Sequence, residues 1–244
     1  MSRSTLPAPP ASSLGGVVRP WLVPAAIGAA TVLAVVLGES AYHTFTHEDG
    51  ICEWLQELFF ILALVEAVRA RSGYARVGRR LPATLYLVAI GGLFFLAGEE
   101  ISWGQRIFGW STPEEFAGNR QGETTLHNMG AAQDVVGWVL LLIGIWGGVL
   151  PRLLRKGGML DRWRADLQPF VPSEHHIPYF LPMLFWRIYR NIFPLPASHT
   201  YAIVQLNEPL ELIMAIGFWL FFRERRRETR AAASAVRAEA SVAR

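Results

Sequence analysis

The chain has 244 residues, of which 52% are apolar and only 18% are Asp, Glu, Lys or Arg, and its formal net charge is +3. Soluble domains carry about a quarter charged residues, so this composition excludes a disordered chain, a collagen and a disulfide-rich secreted scaffold. Cys52 is the only cysteine, which rules out an intrachain disulfide and a cysteine metal site.

Residues 1–19, rich in Pro, Ser and Ala, predict a disordered cytoplasmic tail. Residues 20–38 carry no charge and predict the first membrane span. The run is longer than a signal-peptide core and no A-x-A site follows it. Residues 51–68 have the length and apolar content of a second span, but Glu53 and Glu57 lie in their first half. The charge-free runs 81–98 and 135–151 predict two further spans. At 1.5 Å per residue each of the three charge-free runs nearly crosses a hydrocarbon core of about 30 Å. Residues 178–193 form a shorter aromatic segment carrying Arg187 and Arg190, and 201–222 a last span with Asn207, Glu208 and Glu211. Between the third and fourth spans, 105–127 reads as an outer interfacial loop. Thr112-Pro113-Glu114-Glu115 there has the order of a helix start. Residues 223–244 read as a basic cytoplasmic tail.

Orientation follows from the arginines, since basic residues favour the cytoplasmic side. Arg69, Arg71, Arg76, Arg79 and Arg80 follow the second span. Arg152, Arg155, Lys156, Arg162 and Arg164 follow the fourth, and Arg223, Arg225, Arg226, Arg227 and Arg230 follow the last. An even number of crossings must separate Arg164 from Arg223, so 178–193 is expected to cross rather than lie on the surface. The fold class expected is all-α: a polytopic transmembrane helix bundle of about six spans, both termini cytoplasmic, in the plasma (inner) membrane.

In that topology acids and histidines collect at the outer ends of five helices. Glu39 and His43 end the first span, Glu53 and Glu57 start the second, and Glu99 and Glu100 end the third. His127, Gln133 and Asp134 start the fourth, and Asn207, Glu208 and Glu211 lie in the last. A charge at mid-bilayer costs about 2.5–3.5 kcal/mol, so the deeper ones belong inside the bundle. Glu53 and Glu57 are i, i+4, as are Asn207 and Glu211, so each pair shares one helix face. Pro209 is expected to kink the last helix and free the carbonyl of Gln205. Arg187 and Arg190 are expected partners for Glu208, Glu211 or Glu100. Glu66, near the inner end of its helix, is expected to meet Arg69 or Arg80 in a structural role. His175 and His176 read as solvent-facing loop residues.

Two chemistries suit this set. Adjacent carboxylates in a low-dielectric site repel and share a proton, which makes Glu99 and Glu100, with Arg106 following, candidates for acid–base catalysis. Carboxylates with one or two histidines also suit one divalent Zn, Mn or Fe ion. The candidate ligands are His127, Asp134, Glu57, Glu208 and Glu211. No serine lies in a G-x-S-x-G elbow, and nothing in the chain points to nucleic acid.

The stretch Gly98-Glu99-Glu100-Ile101-Ser102-Trp103-Gly104-Gln105-Arg106 resembles the E-E-x-x-x-R motif of the CAAX-protease and bacteriocin-processing family, with its arginine two positions late. That family's F-x-x-x-H and H-x-x-x-N motifs have no counterpart here, so the resemblance extends to Glu99 and Glu100 alone. It implies an intramembrane hydrolase in which a glutamate activates water. The same stretch also resembles one in multi-pass bacterial membrane proteins, which implies no activity. His43-Thr44-Phe45-Thr46-His47 is similar to an H-x-x-x-H motif of the membrane-embedded ceramidase and progestin-receptor-like hydrolases. The expected function is a membrane-embedded hydrolase or related lipid- or peptide-modifying enzyme with an outward-facing carboxylate/His site. The partners expected are the bilayer and a lipid or membrane-peptide substrate. The alternatives are a cation- or proton-coupled transporter, which internal repeats would favour, and a non-catalytic membrane subunit whose acids and arginines form structural ion pairs.

Overall fold

A computed structural model of the protein describes residues 19–47, 49–116, 118, 122, 124, 125, 130–155, 167–193 and 201–242. All regular structure among them is helical. The main helices are α1 (Leu22–Leu37), α2 (Glu39–Thr46), α3 (Ile51–Arg76), α4 (Arg80–Glu100), α5 (Gly130–Gly148), α6 (Ile177–Ile192) and α7 (Asn207–Val242). Gly38, at φ 111°, separates α1 from α2 in a backbone state that a side chain would resist.

Three helical stretches are long and apolar enough to cross a membrane: Arg19–Leu37, Arg80–Glu100 and Val135–Leu154. They coincide with the three charge-free runs of the sequence. Their outer faces expose Val32, Leu33 and Val36, then Leu85, Val88 and Phe94, then Val135, Trp138 and Leu142. Water would penalise so much exposed hydrocarbon, whereas lipid would not.

The core is built on α3 and α7, the most extensively packed pair, with α4 against α3 and α6 against α7. The third close pair is α5 on α6. The contacts give the directions. Gln56 of α3 reaches Glu211 of α7, Phe60 meets Phe218, and Glu66 meets Arg226. The two central helices therefore run parallel. α4 runs antiparallel to α3, because Tyr86 near its start meets Tyr74 near the end of α3. α6 lies alongside α7 in the opposite sense: its start at Tyr179 and Phe180 packs on Gly217, and Trp186 bonds Asn207.

Small residues allow the close approaches. Ala63, Ala67 and Ala70 of α3 are completely buried, and a Cβ on Gly73 would lie 2.1 Å from Thr229 Oγ1 of α7. Where helices already sit in hydrocarbon, association depends on packing of this kind rather than on water exclusion. Trp146 of α5 joins the third pair to the centre, stacking on Phe218 and meeting Phe180 and Phe221 edge-on.

Two local expectations are corrected. Instead of a kink inside one helix, the stretch breaks ahead of Pro209: a short helix at Tyr201–Val204 ends in a turn over 205–206, and α7 begins at Asn207, so the proline falls in its first turn, where a missing N–H costs nothing. The Gln205 carbonyl is not freed either, because it accepts the Glu208 N–H at 3.3 Å. The outer loop forms a short 3-10 turn at Glu114–Phe116. The basic segment after Arg223 continues α7 as far as Val242.

Candidate functional site

The acids of three helices meet at one end of the bundle. Glu53 and Glu57 come from the first two turns of α3, Glu100 from the last turn of α4, and Glu208 and Glu211 from the start of α7. Glu53, Glu208 and Glu211 are close enough to Glu100 for their charges to act on it. Gln56, fully buried, sits among them and donates to Glu211 Oε2 at 3.4 Å. A pocket with room for roughly one water molecule is lined by Glu53, Trp54, Glu57, Glu100, Ile101 and Ile107. Glu57 is only 6% exposed, and its Oε2 has no hydrogen-bond partner among the described residues. The Gln56 Oε1 is in the same condition.

Glu99 takes a different place. It is 3% exposed and accepts a hydrogen bond from Trp103 Nε1 at 2.7 Å. The chain turns sharply to make this contact: Ser102 and Trp103 have φ of 48° and 53°, and Gly104 follows at 94°. Left-handed backbone costs a non-glycine residue about 1–2 kcal/mol, so the turn must be held by what surrounds it. The Trp103 ring lies against the backbone of Gly98, where a Cβ would come within 2.8 Å of it, and its faces meet Phe94 and Phe95. Gly98→Ala is therefore expected to push the indole off the helix end into more polar surroundings and red-shift its contribution to tryptophan fluorescence. An unchanged spectrum from the single-tryptophan variant would contradict that placement.

The remaining expected ligands are placed as follows. His127 lies outside the described residues, as do the side chains of Asp134 and Arg106. Arg187 donates from Nε to the Gly137 carbonyl at 3.2 Å and lies within electrostatic reach of Arg190 and Glu211. His43 stacks on His47 and pairs with Glu39 at 3.7 Å. Among the described residues no group of three or more His, Cys, Asp or Glu is arranged to hold a metal ion.

A second polar assembly lies at the opposite, arginine-rich end. Arg225 of α7 is 2% exposed; it bonds Glu224 at 2.7 Å, Glu228 at 2.8 Å and the Gln168 carbonyl at 3.2 Å. Ser173 donates to Glu224 Oε2 at 3.0 Å, and His176 Nε2 lies 3.4 Å from the same oxygen. Tyr86 and Trp146 donate to the carbonyls of Pro169 and Phe170. These bonds tie 168–176 onto α4, α5 and α7. The expectation that both histidines face solvent is corrected: His175 is exposed, but His176 is buried against Phe221. Sequence reasoning missed this assembly because a Pro-rich polar stretch reads as a loop; the one available signal was Arg225, flanked by Glu224 and Glu228 at helical spacing. Glu66 meets Arg69, as expected, and also Arg226 at 2.7 Å.

Burial lowers the His176 pKa below its ordinary value near 6.5, against the opposing pull of Glu224 and with help from Arg225. The unfolded chain therefore takes up this proton more readily than the folded one. The stability contributed is complete above about pH 6.5 and is lost as pH falls below it. In detergent, the melting temperature should drop more between pH 7 and pH 5 for the wild type than for His176→Gln. Parallel curves would refute the assignment.

The described residues define an all-helical protein with three helices long and apolar enough to cross a membrane and a half-buried carboxylate cluster at one end. No family model, curated protein or solved structure matches the chain.

Proposed function

We propose that the chain is a six-span protein of the plasma (inner) membrane with both termini cytoplasmic, and that its outward-facing carboxylate cluster is a hydrolytic site acting on a lipid or membrane peptide. The alternation of helix directions supports six crossings: α6 runs alongside α5 and α7 rather than across their ends, and the parallel run of α3 and α7 requires an odd number of crossings between them, which α4, α5 and α6 supply. The arginines of both helices then lie on the cytoplasmic side.

The observation that carries the functional reading is the convergence of Glu53, Glu57 and Glu100 on a water-sized pocket, with Glu208 and Glu211 within electrostatic reach of Glu100. Crowded carboxylates share protons, and a shared proton is the working part of a general acid/base. Glu57 or Glu100 takes a proton from the pocket water as it attacks an ester or amide carbonyl, and returns it to the leaving group. The exposed Trp54 and Ile107 beside the pocket give an apolar substrate a wall to lie on. A divalent Zn, Mn or Fe ion would supply Lewis-acid chemistry here, but the described acids do not form a ligand set, so His127 and Asp134 would have to complete it; elemental analysis of the purified protein tests this.

The small size of the pocket favours a second reading, a proton-coupled carrier using the same acids as a relay. Protein in liposomes, offered mixed phospholipids and membrane peptides, separates the two. Products carrying added water, absent with Glu100→Gln, are the expected result. A folded wild type that yields none, yet moves protons across the bilayer, would replace hydrolysis with transport.

A further inference from the structure

We infer that Trp103 is a positioning residue that, by holding Glu99, directs Glu100 into the carboxylate pocket. This rests on the acid–base reading of the cluster and adds a device to it.

Adjacent residues on a helix point about 100° apart, so only one of Glu99 and Glu100 can face α3 and α7. Both are glutamates at the last turn of α4, where backbone restraint is weakest. Chemistry alone does not choose between them, because either carboxylate could serve in the pocket and a rotation of the helix end by about 100° would exchange them. The structure contains the feature that chooses. The indole N–H of Trp103 bonds Glu99 Oε1 at 2.7 Å, and the ring is seated on Gly98 between Phe94 and Phe95. Glu100 is left beside Gln56, Glu53, Glu208 and Glu211.

The backbone between them is built for this reversal. Ser102, Trp103 and Gly104 are consecutive left-handed residues, two of them not glycine. Strain of that kind persists only where surrounding contacts over-determine it, and it gathers at working sites. The same turn carries Ile101 and leads to Ile107, both walls of the pocket. The Gly-Glu-Glu-x-x-Trp-Gly order of residues 98–104 thus acquires a reason at each named position: room for the ring, the held acid, the facing acid, the clip and the return.

A hydrophobic carbodiimide reacts with protonated carboxyls inside membranes, and mass spectrometry locates the adduct. In the intact protein in detergent, Glu100 is expected to label, with Glu57 as the internal standard. Trp103→Phe keeps a ring and loses the N–H; it should lower Glu100 labelling relative to Glu57 by roughly fivefold, as loss of one hydrogen bond allows, with Glu99 gaining adduct. Glu99→Gln keeps the acceptor oxygen and should leave Glu100 labelling as in the wild type, whereas Glu99→Leu should behave like Trp103→Phe. A merely structural role would change both glutamates alike. Unchanged Glu100 labelling in both Trp103→Phe and Glu99→Leu would overturn the positioning role alone. Absence of Glu100 labelling in the wild type would overturn the acid–base reading with it.

Discussion

Arg225→Ala is expected to destabilise the protein by about 3 kcal/mol, the largest single effect of any charged-residue substitution. Removing one partner of a buried ion pair typically costs about 3–5 kcal/mol, because the other charge stays behind unpaired. Two carboxylates, Glu224 and Glu228, depend on this guanidinium, and so does the Gln168 carbonyl. The lower end of the range applies because both glutamates keep about a third of their surface open to solvent, which screens them. The damage should be local in origin: residues 168–176 lose the Gln168 tie to Arg225 and keep only the Ser173 and His176 contacts to Glu224, so backbone amides there should exchange hydrogen faster, while those of α3 stay protected. Arg225→Lys supplies the charge without the planar fork and should recover only part of the loss. A melting temperature within 2 °C of wild type for the alanine variant, which corresponds to about 1 kcal/mol or less, would show that the pairs are not buried as described.

Gly144→Leu should abolish assembly of α5 with α6, and Gly144→Ala should already cost about 1–3 kcal/mol. A Cβ at this position would sit 2.8 Å from the Leu184 Cα and 2.9 Å from its N. Those are backbone atoms, so no change of rotamer relieves the contact and the two helices must separate. Gly147 faces Phe180 even more closely, at 2.2 Å from Cγ and 2.7 Å from Cβ; the Cβ does not move with the rotamer, and the ring is fully buried between Trp146 and Phe218. Gly147→Ala is therefore predicted to be at least as damaging as Gly144→Ala. Comparing the yield of monodisperse protein for the two variants tests this; wild-type yield from either would mean that the α5–α6 separation is set elsewhere.

The three apolar spans could be read from the sequence because hydrocarbon tolerates so little charge that its absence over such runs has few other causes. The acidic end was legible for the complementary reason. Glu57, Glu100 and Glu211 stand where solubility does not require them, and the structure brings Glu53, Glu57, Glu100, Glu208 and Glu211 to one place. What the sequence could not show was the division of labour between Glu99 and Glu100. That depends on Trp103 turning back through left-handed backbone at two residues that carry no mark of it; Gly98 and Gly104 were visible, but glycine in a membrane helix has many uses. The Arg225 assembly was hidden in another way. Its partners come from 168–176, a segment whose prolines and polar residues predict a loop, and whose attachment is decided by Tyr86 and Trp146 far away in the chain.

The parallel central helices carry a mechanical corollary. α7 is one uninterrupted helix of 36 residues, about 54 Å from end to end at 1.5 Å per residue. Glu208 and Glu211 are at one end of this rod, and Arg225 with its two glutamates is farther along it. Any axial slide or twist forced on the rod by a change around His176 and Arg225 arrives undiminished at the carboxylates, since a hydrogen-bonded helix does not absorb it on the way. The two polar ends of the bundle are thereby joined through one continuous element.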